Sequence, residues 1–327
     1  MLTRRRLLKL STACLVAPGV MGTFARAQSW PAHPVRLIVP FPPGGGADAI
    51  ARIVSGRLTE MWGQQLVIDN RGGAGGNIAS EAAARSPPDG YTLYLAGDFL
   101  GSNPHLYPKL NYDPVADFEP VSLVVQFPVA FVVPNSSPSA SVGEFIARAK
   151  ASPRMLTFAS PGYGTSPHLA AELFKRVAGI ELTHVPYRGA APALQDVLGG
   201  RVDSFFNNIA PVIPLLKEGQ LKVLAVTSAE RSKAAPEVPT LAESGLPGFD
   251  VSGWYAFFMP ARTPTAIIGR MHADTAAALG EPAVRGRLEE LGLFVVGSTP
   301  DELGAHLKAE LAKWGPVIKE AGLKVGE

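Results

Sequence analysis

Cysteine is almost absent from this 327-residue sequence: Cys14 is the only one, and it lies in the N-terminal leader. The chain after the leader therefore cannot form a disulfide or use a thiol as a nucleophile. The six histidines also lack zinc-site spacing, since neither H-x-x-x-H nor H-E-x-x-H occurs. The composition thus predicts a protein with no metal site and no cofactor.

Motifs for nucleotide binding and for serine hydrolases are missing as well. The sequence contains no G-x-x-x-x-G-K-[ST], no G-x-G-x-x-G and no G-x-S-x-G. One catalytic alternative stays open, an exported hydrolase that uses Ser166 and His168 with Asp203 nearby in space. The simpler interpretation is that the hydroxyls near residue 166 cap a helix and contact a ligand. We therefore predict no catalytic residue and no enzymatic activity.

The N-terminus has the features of an export signal. Arg4, Arg5 and Arg6 precede an apolar stretch too short to span a bilayer, and cleavage is expected near Ala27. The twin-arginine pattern and the general secretory route both lead to the periplasm. Loss of residues 1–27 leaves 25 basic and 28 acidic side chains, a net charge of −3 in place of +2. The mature charge does not favour nucleic acid as a partner.

Strand and helix patterns alternate through the rest of the chain, which indicates an α/β fold with two parallel-sheet lobes. The predicted elements include strands near residues 121–125 and 129–133, helices near 47–62 and 166–178, and a C-terminal helix near 300–321 whose apolar face packs on the first lobe. Two long irregular segments, residues 98–120 and 228–252, are interpreted as crossings between the lobes. The predicted first lobe is discontinuous, residues 28–125 and 227–327, and the second lobe is residues 126–226. Hinges are expected near residues 123–128 and 225–229.

Two strands lead through Pro/Gly-rich turns into helices. The first turn follows a strand near residues 35–40 and contains Gly44 and Gly45. The second follows Ser160 and contains Gly162 and Gly164. Glycine allows the backbone to approach a ligand, and free N–H groups at a helix N-terminus bind anions. The repeated arrangement predicts two helix N-termini that donate to one shared anion.

Motifs along nearly the whole mature chain resemble those of the periplasmic receptors of tripartite tricarboxylate transporters, the Bug family of solute-binding proteins. The matching segments are Pro40–Gly45 with Asp48, Asn70–Asn77, Pro88–Leu93, Asn103–Tyr107, Tyr112–Pro114, Gly162–Leu169, Val185–Gly189 and Val202–Asp203. The resemblance implies a type II periplasmic-binding-protein fold that closes on a small carboxylated metabolite. It also implies delivery to the membrane components of such a transporter, with the receptor acting as a monomer. A periplasmic sensor for a two-component system is the alternative.

The loops and the resemblance together assign ligand binding to one set of residues. They are Phe41, Pro42, Pro43, Gly44, Gly45, Asp48, Ser160, Gly162, Gly164, Thr165, Ser166, His168, Ala190, Asp203 and Asn207. Two departures from the family pattern concern specificity. Asn207 stands where many relatives have an aspartate. Asp98, five residues before Asn103, either lines the cleft, where it would repel a second ligand carboxylate, or caps a turn and faces water. Asp98 and Asn103 are therefore candidate specificity residues.

Overall fold

The computed structural model describes residues 30–325, so the predicted leader and its cleavage position lie outside the described residues. The strands of this part of the chain are β1 (Val35–Val39), β2 (Leu66–Asn70), β3 (Thr92–Gly97), β4 (Phe118–Pro134), β5 (Thr157–Ser160), β6 (Thr183–Pro186), β7 (Ser204–Asn208), β8 (Leu221–Val226), β9 (Ser252–Pro260) and β10 (Phe294–Val295).

The α-helices of the same residues are α1 (Gly46–Trp62), α2 (Asn77–Ala84), α3 (Phe99–Leu106), α4 (Val142–Ala151), α5 (Ser166–Ala178), α6 (Ala190–Leu198), α7 (Val212–Lys217), α8 (Thr265–Gly280), α9 (Pro282–Glu290) and α10 (Pro300–Glu320). A short 3₁₀ helix, Ala74–Gly76, precedes α2. The alternating strands and helices confirm the predicted α/β class. None of these helices combines the length and apolar character needed to cross a bilayer.

The strands form one continuous mixed sheet in the order β2-β1-β3-β9-β4-β7-β5-β6, and both β8 and β10 pair with β4. We call β2, β1 and β3 the first half of the sheet, β7, β5, β6 and β8 the second half, and β9 and β4, which lie between them, the crossing strands. β1 is parallel to β2 and β3, and β5 is parallel to β6 and β7. The crossing strand β4 runs antiparallel to β9 up to Pro128 and antiparallel to β7 from Val129. The two halves are therefore joined through β4.

Burial explains the strand sequences. β3 and the second part of β4 are buried along their whole length and consist of residues without charged or amide side chains, as is usual for central α/β strands with helices on both faces. Phe131 lies at the centre of the second half, with its ring stacked on that of Phe206 at a centroid distance of 4.6 Å. Aromatic packing of this kind fixes the register of β4 against β7.

Three elements differ from the sequence-based expectations. The strands predicted near residues 121–125 and 129–133 are a single strand, β4, since Gln126–Pro128 continue to pair with β9. The segment predicted to be irregular, residues 98–120, contains α3, which includes Pro104 in its second turn. Proline and the Asn-Pro step favoured a break, but burial of residues 99–103 stabilises the helix. The two-residue strand β10 was also missed.

The long C-terminal helix α10 packs against α3 and β4, which agrees with its predicted return to the first half. Its start is fixed by a capping box: Thr299 accepts from the Glu302 N–H, and Glu302 accepts from the Thr299 N–H. The apolar residues at helical spacing, among them Leu303, Leu307 and Trp314, are buried. Glu310 lies on the same buried face and accepts hydrogen bonds from the indoles of Trp254 and Trp314.

Candidate functional site

A small cavity lies where the two halves of the sheet meet, next to the N-termini of α1 and α5. The space open to the centre of a water molecule is about 20 Å³, enough for one or two waters. The lining residues come from both halves and from the crossing strands: Phe41, Gly45, Gly46, Ala47, Asp98, Phe127, Pro161, Thr165, Pro167, Ala190, Asn207, Asn208 and Tyr255. Contacts between the halves close it. Ser102 donates to the Gly164 carbonyl, and a Cβ at Gly45 would lie 3.6 Å from that of Ala190.

The first loop joins β1 to α1 and is held in shape by Asp48. The Asp48 carboxylate accepts hydrogen bonds from the Gly44 N–H at 3.1 Å, from Arg52 at 2.8 Å and from Asn70 at 3.2 Å. Burial opposes ionisation of Asp48, but these hydrogen bonds outweigh it and lower the pKa of the carboxyl. Asp48 therefore positions the loop with its oxygens already engaged and does not line the cavity.

The second loop, residues 160–166, is held by hydrogen bonds within itself. Thr165 donates to the Gly162 carbonyl at 2.8 Å, and the Gly164 N–H donates to His168 Nδ1 at 3.3 Å. Gly164 has φ +78°, a left-handed conformation that favours glycine. A Cβ at this position would also lie 1.9 Å from Asn103 Oδ1 in the first half. Gly164 is therefore required by the close approach of the two halves.

His168 lies behind the second loop and not in the cavity wall. Its ring stacks on that of His184 at 4.5 Å, and Ser160 Oγ lies 2.8 Å from His184 Nε2. Burial, followed by the nearby His184 and Lys175, lowers the pKa of His168 well below its usual value, and burial lowers that of His184 to about 3. Both rings are therefore neutral at ordinary pH. Ser166 makes no hydrogen bond to His168, so the hydrolase alternative loses its nucleophile–base pair.

Asp98 follows β3 and is 5 % exposed, so the alternative in which it faces water is wrong. Its Oδ1 accepts the backbone N–H of Ser166 at 3.0 Å, across the interface between the halves. Burial, with the negative charge of Glu310, raises the pKa of Asp98 to about 6 despite this hydrogen bond. Pro167, the second residue of α5, has no N–H. The helix N-terminus predicted to hold a ligand anion is therefore occupied largely by a carboxylate of the protein.

Asn207 and Asn208, at the end of β7, supply unused donors to the cavity. Both side chains are at least nine-tenths buried, and the Nδ2 atom of each has no hydrogen-bond partner among the described residues. Asn208 also packs against the first turn of α1, because a Cβ at Gly46 would lie 2.8 Å from its amide nitrogen. The Gly46 and Ala47 N–H groups belong to that first turn, which has no intrahelical acceptors. Amide and helix donors therefore converge on one part of the wall.

Two predicted residues lie elsewhere. Asp203 accepts hydrogen bonds from the Thr157 N–H at 3.0 Å and from Arg148 at 2.7 Å. Thr157 begins β5, whereas the cavity adjoins the other end of that strand, so the structure does not bring Asp203 to this cavity. Asn103 is fully buried and donates to the Gly75 carbonyl and to Asn77, so it supports the contact with Gly164 without lining the cavity.

The structure brings six of the predicted residues to the cavity wall: Phe41, Gly45, Asp98, Thr165, Ala190 and Asn207. Others form the loops around it without lining it: Pro42, Pro43, Gly44, Asp48, Ser160, Gly162, Gly164, Ser166 and His168. Phe127, Tyr255 and Asn208 were missed. The first two lie on the crossing strands and resemble ordinary core residues in sequence. Asn208 could have been found, because two consecutive amides at the end of an apolar strand are unusual for a core.

Comparisons with known proteins agree with this architecture. The model of the tripartite tricarboxylate transporter family receptor matches residues 50–323. Protein BugT of Bordetella pertussis (strain Tohama I / ATCC BAA-589 / NCTC 13251) is 36% identical over 97% of this chain and 96% of its own. The structure of R. palustris Rpa4515 with adipate is 39% identical, covers 90% of this chain and 100% of that chain, and has a TM-score of 0.88.

A further structural relative is MatC (Rpa3494) from Rhodopseudomonas palustris with bound malate. It is 34% identical, with a TM-score of 0.84 over 88% of this chain and 99% of that chain. These likenesses extend along nearly the full length of both proteins. A match to the structure of periplasmic binding protein BugD, 32% identical with a TM-score of 0.87 over 90% of this chain and 100% of that chain, confirms the periplasmic-binding-protein fold expected from the sequence. Since the family model also covers most of the chain, this protein belongs to the tripartite tricarboxylate transporter receptor family.

Proposed function

We propose that this protein is a solute-binding receptor that captures a small carboxylate and delivers it to the membrane components of a tripartite tricarboxylate-type transporter. One observation carries the proposal: the buried Asn207 and Asn208 amides have unpartnered Nδ2 atoms in a cavity that also contains the N-terminus of α1. Buried donors without acceptors are costly, by about 1–3 kcal/mol each. A bound carboxylate would supply those acceptors and complement the helix dipole.

The relatives support the same class of ligand. Rpa4515 was solved with adipate and MatC with malate, and both compounds are carboxylates. The family name supports a transporter as the destination of the ligand. We propose a periplasmic location after removal of the leader near Ala27, and a monomer as the functional unit.

Capture is proposed to involve closure of two lobes, residues 28–125 with 227–327 and residues 126–226. Thr227 makes hydrogen bonds to both proposed lobes: its hydroxyl accepts from the Val129 N–H and donates to the Val251 carbonyl. Thr227 lies within the proposed hinge near residues 225–229, and Val129 directly follows the one near residues 123–128. A ligand that contacts both lobes stabilises the closed state by its greater affinity for that state.

No catalytic role is proposed. Ser160 is fully buried, and neither it nor its partner His184 lines the cavity, so a substrate carbonyl bound there would not meet this hydroxyl. The cavity hydroxyl of Thr165 donates within its own loop. The residues of the site are therefore arranged for binding.

The test begins with mass spectrometry of small molecules released when freshly purified mature protein is denatured. The stripped, refolded protein is then titrated by calorimetry with any released carboxylate and with its methyl ester. We expect one carboxylate per chain and binding of the ester at least about tenfold weaker, since the ester lacks the charge. Equal binding of acid and ester would contradict carboxylate capture, and turnover of the ester would contradict the absence of catalysis. Loss of uptake of this carboxylate in cells that lack the receptor would support a role in transport and not in sensing.

A further inference from the structure

Asp98 is the only charged side chain among the described residues that line the cavity. No lysine, arginine or histidine shares that wall. Arg52 lies in the second turn of α1, and this cation is already paired with Asp48 at 2.8 Å. The site therefore contains one fixed acid and neutral donors, which is an unusual composition for a pocket that binds a compound with two or more negative charges.

The two parts of the cavity wall differ in what they can recognise. The part formed by α1, Asn207 and Asn208 presents donors and suits a carboxylate. The other part contains Asp98, whose Oδ1 already accepts the Ser166 N–H. Because Pro167 has no N–H, the start of α5 has few donors left with which to compensate a second ligand anion. The part of the wall near Asp98 therefore offers an acceptor, whereas the part formed by α1, Asn207 and Asn208 offers donors.

Electrostatics decides which ligand group fits beside Asp98. Asp98 is buried, and Phe127, Pro161 and Tyr255 line the same cavity, so solvent screens its charge only weakly. Two carboxylates a few ångströms apart in such a site repel each other, and one must bind a proton. An ammonium or hydroxyl group would instead donate to the Asp98 oxygen, and a charged donor makes the stronger hydrogen bond.

We propose that the ligand is a small carboxylate that presents a hydrogen-bond donor, an ammonium or a hydroxyl group, to Asp98, and that matched dicarboxylates bind poorly. Asp98 is then the residue that sets specificity within the family fold. This inference rests on the proposed function, because it assumes that a ligand carboxylate binds to the part of the wall formed by α1, Asn207 and Asn208.

The test uses two matched series of probes on stripped, refolded mature protein. In the first, one substituent changes: alanine, lactate, methylmalonate and isobutyrate carry an ammonium, a hydroxyl, a carboxylate and a methyl group at the same carbon. The second series changes the group at the far end of one chain: glutarate carries a second carboxylate there, valerate a methyl group, and the matching amino and hydroxy acids an ammonium or a hydroxyl group. In at least one series we expect the amino or hydroxy acid to bind at least about tenfold more tightly than the dicarboxylate.

Variants assign that preference to Asp98. In Asp98→Asn the preference should fall to within about threefold or reverse, since the amide has no charge and can donate to a carboxylate. Asp203→Asn is the matched control, an acid outside the cavity, and should leave the order of the probes unchanged. If Asp98→Asn does not fold, the order of the probe affinities for wild-type protein still tests whether donor compounds bind more tightly than dicarboxylates.

The outcomes separate the two proposals. If a dicarboxylate binds wild-type protein as tightly as the matched donor compounds, or if Asp98→Asn leaves the order intact, the inference about Asp98 is overturned while carboxylate capture stands. If no carboxylate of either series binds, and none is released from the purified protein, the proposed function fails and this inference fails with it.

Discussion

The carboxylate of Asp98 accepts a hydrogen bond from the backbone N–H of Ser166 at 3.0 Å, joining the end of β3 to the start of α5. These residues belong to different halves of the sheet. The bond places an acid of the first half at the positive end of a helix in the second half, where a ligand anion was expected. The same carboxylate therefore links the two halves and sets the charge of the cavity between them.

The titration of Asp98 should make stability depend on pH. Its pKa is raised to about 6 from the ordinary value of 3.8, so the folded state holds this proton at pH values where the unfolded chain has lost it. The stabilisation is complete below about pH 3.8 and is lost as the pH rises to about 6, amounting to about 3 kcal/mol. Urea unfolding of wild type and Asp98→Asn from about pH 3 to about pH 8 measures it.

The expected result is a free energy of unfolding that falls with pH in wild type relative to Asp98→Asn, with a constant difference above about pH 7. Glu310→Gln is a useful companion variant, because removal of this neighbouring charge should move the transition to lower pH. Parallel pH profiles for wild type and Asp98→Asn would contradict the assigned pKa.

Substitution of Gly164 should impair closure beyond its effect on the backbone. Gly164 and Gly179 both have left-handed φ angles, +78° and +62°, but a Cβ meets Asn103 at the first and nothing within 4 Å at the second. Each alanine variant should lose about 1–2 kcal/mol of stability from the unfavourable φ. Only Gly164→Ala should also weaken binding of a carboxylate, by about tenfold or more, and prevent the decrease in radius of gyration on binding. Equal binding by the two variants would contradict closure at this contact.

Removal of the Asn207 amide should weaken binding of a carboxylate without lowering the stability of the ligand-free protein. Asn207→Leu replaces a buried donor that has no partner with an apolar group of similar size, so the ligand-free protein should keep or gain stability. Carboxylate binding should weaken by at least about tenfold, as calorimetry can measure. Thr275→Val is the control, since the Thr275 hydroxyl is also buried and unpartnered but does not line the cavity. Unchanged binding by Asn207→Leu would remove this amide from the site.

A disulfide should lock the two halves together. The Cβ positions of residues 45 and 190 lie 3.6 Å apart, within the range of disulfides. Since no residue after Cys14 is a cysteine, the pair Gly45→Cys and Ala190→Cys has no competing thiol in protein that begins after residue 27. The oxidised protein should neither take up nor release a carboxylate probe, and reduction should restore exchange. Both single variants serve as controls, because each adds bulk at the cavity without a link. Fast exchange in the oxidised form would argue against a closing motion.

The local parts of the fold were predictable from sequence. The helix after residue 45 and the helix from Ser166 to Ala178 agree with the predicted spans to within about a residue. Helical periodicity, Gly/Pro turns and apolar strands are encoded by neighbours in the chain, so they can be read without the fold. The same holds for the apolar face of α10.

The long-range contacts could not be predicted in this way. Asp203 was assigned to the cleft by family resemblance, but the parallel register of β5 and β7 places it beside Thr157, at the strand end remote from the cavity. Asp98 had two interpretations that sequence could not separate, because its partner Ser166 is 68 residues away. Phe127 and Tyr255 resemble ordinary core residues until the crossing strands bring them to the cavity.

The sequence by itself determined the α/β class, the two Pro/Gly loops and the family of the protein, because each depends on residue types and spacings along the chain. Only the tertiary structure decided which side chains share the cavity, that the start of α5 is already neutralised by Asp98, and that Asn208 contacts the start of α1. Those facts depend on strand register and on the packing of two halves, and packing is a property of the whole chain.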